Sequence, residues 1–210
     1  ATTKAYSTQL ICMYILSMYA AQVRGEIEES TLNSMLKEIV LLPEKVASIL
    51  ADKERIQWFA NKFASAHDVF FIGRGLHYAI CQEGSLKMKE VSYVHSEAYA
   101  AGELKHGTIS LIEDGTLVIG VLTQSHLCEK TLSNMQEVKS RGAYLMGVAE
   151  NGSYYLEDMV DFVVYVPKTD PHFTTTLAII PLQLMGYYVS VARGLDVDKP
   201  RNLAKSVTVE

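Results

Sequence analysis

Asp68-Val69-Phe70-Phe71-Ile72-Gly73-Arg74-Gly75 is the stretch on which the reading of the fold turns. Val69 to Ile72 are consecutive β-branched or aromatic residues with no polar alternation. Such a run suits a strand buried on both faces, as in a parallel sheet. It delivers the chain into a glycine-flanked turn and then a helical stretch. The same signature recurs at 116–122, 143–149 and 162–166, with helical segments at 127–140 and 174–193. Strands alternating with helices give a parallel sheet covered by helices on both sides, an α/β fold.

Upstream of this unit the pattern is helical. Residues 4–24 are largely apolar and end at Gly25, a plausible C-cap. Ser30 or Thr31 opens a second run with Leu32, Met35, Leu36, Ile39 and Val40 at helical spacing, expected to stop before Pro43. A third run covers 44–50, and Asp52 can cap a fourth that carries Ile56, Phe59, Ala60 and Phe63. The expected organisation is a helical segment over 1–66, an α/β domain over 67–195 and an extended tail over 196–210.

Composition removes several classes of function. The chain has 210 residues, enough for one globular domain with a full core. Its Lys+Arg count of 19 against 24 Asp+Glu gives a net charge of −5, without the basic excess of a nucleic-acid binder. Cys12, Cys81 and Cys128 are scattered and form no CxxC pair, which fits a reducing cytoplasm and argues against disulfides or a zinc site. The apolar stretch at 10–21 falls short of the ~18–20 residues needed to cross a bilayer and reads as a buried helix.

Four places can carry chemistry. Gly73-Arg74-Gly75 could present backbone N–H groups to an anion, or could simply be a tight strand-to-helix connection. Glu83, Lys87 and Glu90 stand at i, i+4 and i+7 on one helix face. On spacing alone an exposed Glu–Lys ladder is the simpler account; a catalytic one needs a carboxylate beside a substrate carbon, near the strand ends. Tyr99-Ala100-Ala101-Gly102-Glu103-Leu104-Lys105-His106-Gly107 is small and polar, and His106 has the most site-like setting of the six histidines. His67, His77, His95, His126 and His172 show no metal-ligand pattern. Arg201-Asn202-Leu203-Ala204-Lys205-Ser206-Val207, in the tail, carries a single lysine after small residues.

Three segments together resemble the glucosamine-6-phosphate synthase (glutamine–fructose-6-phosphate aminotransferase) family. They are Glu83-Gly84-Ser85-Leu86-Lys87-Met88-Lys89-Glu90, then Glu97 to Gly107, then Asp198-Lys199-Pro200-Arg201-Asn202-Leu203-Ala204-Lys205-Ser206-Val207-Thr208-Val209-Glu210. The resemblance covers essentially the whole chain and points to the second sugar-isomerase (SIS) lobe with its tail. It implies a flavodoxin-like αβα sandwich, a homodimer, a sugar-phosphate substrate and no metal or organic cofactor. It implies that Glu90 is the base that moves a proton between C1 and C2 of the sugar. Lys205 matches the lysine that forms a Schiff base with the open-chain ketose. His106 matches a ring-opening histidine supplied by the neighbouring subunit. Glu83 and Lys87 match supporting polar groups, and Ala204 sits beside the sugar.

The family pattern is departed from at two positions. Thr108 stands where proline is usual, which is expected to loosen the loop of His106, and Ser85 replaces an alanine, expected to be packing alone. A hydroxyl-rich Ser-Gln-Ser-Gly-Glu-Thr clamp and a glutaminase domain are missing from the sequence. The expectation is therefore an excised piece of a longer enzyme, inactive alone. Two alternatives stay open: a phosphosugar-binding SIS module without catalysis, and a fructosamine-6-phosphate deglycase.

Overall fold

Residues 2–201 are described by the computed structural model. Three helices come first: α1 (Lys4–Val23), α2 (Glu29–Ala51) and α3 (Lys53–Lys62). They are followed by β1 (Asp68–Gly73), α4 (Leu76–Ser92), β2 (His95–Ala100), β3 (Leu117–Val121), α5 (Ser125–Lys139), β4 (Tyr144–Glu150), β5 (Phe162–Val166) and α6 (Thr174–Ala192). The sheet is parallel in every pairing, in the order β2-β1-β3-β4-β5.

Strand alternation divides the core in two. Val69 and Phe71 of β1 join Ile119, Val148 and Val164 under α3, α4 and α6, while Phe70 and Ile72 face α5 with Val118, Leu145 and Val163. The sheet is therefore buried on both faces, which explains why its strands read as unbroken apolar runs. Phe59 of α3 stacks on Phe162 of β5 at 4.2 Å and 6°, fixing α3 over that edge.

The strand β2 shows no such run. It is an edge strand with one neighbour, and its sequence His95-Ser96-Glu97-Ala98-Tyr99-Ala100 opens on three consecutive polar residues. Hydrogen bonds hold it to α4: the Ser85 hydroxyl donates to the Ser96 carbonyl at 2.9 Å, and the Ser96 hydroxyl donates to the Ser85 carbonyl at 2.8 Å. Ser85 thus does more than pack.

Pro43 does not end a helix, contrary to the sequence expectation. The helix α2 runs through it. Leu42 and Ile49 lie on one buried face, and Lys45 reaches back to Glu38 at 2.6 Å while Thr169 donates to the same carboxylate. These contacts offset the roughly 3 kcal/mol cost of an interior proline. Those bonds, that of Lys45 first, also lower the Glu38 carboxyl below its usual range.

In α6, the described helix long and apolar enough to cross a membrane, most of the surface is buried as the central core helix. Its approach to α4 is close. A Cβ on Gly84 would lie 2.8 Å from Leu182, and one on Gly186 would touch the backbone of Met88 at 3.4 Å. The start of the tail is bent rather than extended: Asp196 accepts the N–H groups of Asp198 and Lys199, and Pro200 is buried.

Candidate active site

The carboxyl edge of the sheet, where ligands of doubly wound folds usually bind, is packed at the crevice between β1 and β3. A Cβ on Gly73 would lie 2.6–2.7 Å from the backbone of His77, so the turn is a close strand-to-helix connection. Gly75 holds φ +55°, a conformation for glycine. His77 fills the crevice: its Nδ1 lies 3.1 Å from the Val121 carbonyl and its Nε2 2.8 Å from the Thr123 hydroxyl. A carbonyl can only accept, so Nδ1 carries the proton and Nε2 accepts from Thr123. Burial pushes the imidazole down to about 4.

That depression makes a pH prediction. The unfolded histidine takes up a proton below about 6.5, whereas the folded one resists until about 4. The contribution is complete above pH 6.5 and is lost as pH falls toward 4. Between pH 7 and 4.5 stability should drop by about 2–3 kcal/mol through this group. Urea midpoints should show that drop in the wild type and a much smaller one in His77→Gln; equal slopes would refute it.

The chemistry-bearing cluster lies elsewhere. Glu83, Lys87 and Glu90 share the face of α4 that meets α6, and the ladder is not exposed. The Lys87 side chain is 4% exposed, and its ammonium bonds to Glu90 and lies 3.6 Å from Glu83. Burial raises the Glu83 carboxyl above its usual range, against the opposing charge of Lys87. The arrangement forms because α4 is held on both sides, by β2 through Ser85 and by α6 at Gly84 and Gly186. The nearly buried ammonium is compensated by the two carboxylates.

The Lys87 side chain opens into a cleft of about 380 Å³, lined by Thr3, Val91, Gln183, Tyr187, Val197 and Asp198. The cleft lies along the second half of α4, away from the strand ends where the spacing argument puts a catalytic carboxylate. Its lining from α6 carries no sequence motif, although Gln183 is the one amide in an otherwise apolar and hydroxyl-bearing helix, whereas Asp198 opens the tail segment singled out in the sequence.

His106 is not brought to this cluster. It ends a 3-10 segment, Ala101–His106, that leaves the carboxyl end of β2, and its exposed ring bonds to Glu103 at 2.8 Å. The helix α4 starts at that edge and carries Glu90 about 21 Å along its axis to the opposite edge. Thr108 opens the next 3-10 segment directly after Gly107. Lys205 and Ala204 lie outside the described residues. Among the described residues, no group of three or more His, Cys, Asp or Glu is placed to hold a metal ion.

Fold and site together define a doubly wound α/β domain with its polar cluster on a helix face. Residues 62–193 match the SIS domain, and the chain belongs to that family. It is 53% identical over its whole length to a glutamine–fructose-6-phosphate aminotransferase (isomerizing) of Caldanaerobacter subterraneus subsp. tengcongensis and 52% identical to that of Clostridium tetani. In each case it covers 34% of the relative, so the chain spans about a third of their length. Among solved structures, the C-terminal domain of glucosamine-fructose-6-phosphate aminotransferase from Francisella tularensis superposes with a TM-score of 0.88 at 33% identity, over 95% of this chain and 57% of that one. This chain corresponds to the C-terminal SIS lobe of such aminotransferases.

Proposed function

We propose that the chain is the isomerase lobe of an enzyme that converts fructose 6-phosphate and glutamine to glucosamine 6-phosphate and glutamate. The observation that carries this reading is Glu90, fixed by the buried ammonium of Lys87 beside a cleft that the tail root also lines. The matches to aminotransferases across the whole chain support it.

The roles follow from the chemistry of each group. Lys205 attacks the C2 carbonyl of the open-chain ketose, and water leaves as the imine forms. Free lysine is almost wholly protonated at neutral pH, so this amine must be desolvated or set near another cation. Ammonia then displaces the lysine, leaving an imine of the sugar itself. That imine acidifies the C1–H bond; Glu90 takes the C1 proton, and the imine nitrogen becomes the enaminol's amine by taking up a proton. Glu90 then returns its proton to C2 as the O1 hydroxyl gives up its own, so that the aldehyde at C1 emerges with the amine on C2. Lys87 holds the carboxylate in place, and Glu83 completes the neutralisation of Lys87. The remaining two-thirds of the enzyme supplies the phosphate clamp and the ammonia.

His106 opens the sugar ring from a neighbouring copy in a homodimer. The separation of His106 from Glu90 along α4 supports this arrangement. The test uses the intact protein: the wild type should release glucosamine 6-phosphate from fructose 6-phosphate and glutamine, and absence of product overturns the reading. Mixed dimers of Glu90→Gln and His106→Ala should regain about a quarter of wild-type activity, since half the dimers are mixed and each has one whole site. No recovery would place His106 in the same subunit as its Glu90.

A further inference from the structure

We infer that Tyr93 is a positioning residue, which anchors the root of the tail beside Glu90 and so sets where the Schiff-base lysine starts its reach. The inference rests on the proposed function above and names a further residue of the same site. Tyr93 is the C-cap of α4, one turn beyond Glu90, and sits in the left-handed region at φ 59° and ψ 18°. It is the one non-glycine residue with positive φ among the described residues. That position at a helix end is ordinarily glycine or asparagine, because a side chain there crowds the backbone.

The bulky residue makes two contacts that glycine could not. Its hydroxyl accepts the N–H of Arg201 at 2.7 Å, and its ring lies 4.0 Å under the Arg201 guanidinium. Just upstream, Asp196 ties down the turn at Asp198 and Lys199, and Pro200 is buried. Val197 and Asp198 of this root line the cleft of Lys87. Among the described residues the tail is thus pinned on both sides of Pro200, by Asp196 before it and by Tyr93 after it. Lys205 follows four residues later, so its backbone can lie at most about 14 Å from the anchor. A strained cap held in place by contacts to the tail is a feature expected where geometry serves function.

The test separates position from stability in the intact enzyme. Tyr93→Gly relieves the backbone and removes both contacts. It should leave the melting temperature equal to or above that of the wild type, speed amide exchange over residues 196–201, and lower kcat about tenfold. KM for fructose 6-phosphate should stay within about twofold, because the lysine acts after the sugar is bound. Tyr93→Phe keeps the ring, and Arg201→Ala keeps the backbone N–H donor without touching α4, so each removes one of the two contacts and should fall between wild type and Tyr93→Gly. A kcat within about twofold of wild type in Tyr93→Gly despite faster exchange overturns the inference, as does a loss of kcat that only tracks a lower melting temperature. A wild-type enzyme without aminotransferase activity would instead refute the proposed function, and the exchange data would still decide whether Tyr93 anchors the tail.

Discussion

Glu90→Gln in the intact enzyme should lower kcat by about 10²–10⁴-fold, the usual worth of a positioned general base. The same replacement should leave the melting temperature within about 2 °C of wild type, corresponding to less than about 1 kcal/mol. The amide keeps the size of the carboxyl group and its oxygen still accepts from Lys87, so the buried ammonium retains a partner there. What is lost is the proposed capacity to take a proton from C1. Lys87→Met is the informative contrast: it leaves Glu83 and Glu90 facing each other, partly buried, without the intervening cation. That variant should lose both activity and stability, since removing one partner of a buried pair strands the other. A Glu90→Gln enzyme with near-normal turnover would remove Glu90 from the reaction.

The second large effect is on the fold itself. Gly73→Ala should destabilise the lobe by about 2–3 kcal/mol, seen as a fall in melting temperature of about 5–10 °C for a domain of this size. The reason is local and rigid. The new Cβ would lie 2.6 Å from the His77 carbonyl carbon and 2.7 Å from its oxygen. Backbone cannot swing away as a side-chain tip does, so α4 must shift along β1, and His77 with it. Gly120→Ala, by contrast, meets the thioether of Met135, a flexible group that can re-pack, and should cost less although its closest approach is 2.3 Å. Thermal melts of the two variants decide the point: a Gly73→Ala protein as stable as wild type would mean that the turn has room for a methyl group.

Much of this architecture is legible in the sequence because burial on both faces leaves a plain signal. The strands β1, β3, β4 and β5 are continuous apolar runs, and the bounds expected from those runs lie close to the observed ones. The edge strand β2 is not legible in this way, since a strand with one neighbour need not be apolar and its first three residues are polar. The proline in α2 misleads for a related reason: local propensity forbids it, and the contacts that outweigh it come from residues 42, 49 and 169, remote or unmarked in the local pattern. At the site, spacing places Glu83, Lys87 and Glu90 on one face but cannot tell a solvated face from a buried one. That distinction belongs to the packing of α6 at Gly84 and Gly186, which no pattern within α4 reveals. Likewise the i, i+3 relation of Glu90 and Tyr93 is visible in sequence, yet the left-handed cap and its hold on Arg201 emerge only in three dimensions.

The assignment of Glu90 as the group that moves the sugar's proton is tested most directly by isotope exchange in the intact enzyme. Glucosamine 6-phosphate or fructose 6-phosphate with ammonia would be incubated in deuterated water, and label entering C1 and C2 followed by NMR. The wild type should incorporate deuterium, while Glu90→Gln should not, even where borohydride still traps a sugar imine on Lys205. Deuterium entering at the wild-type rate in Glu90→Gln would show that another group carries the proton and would contradict a catalytic role for the α4 cluster.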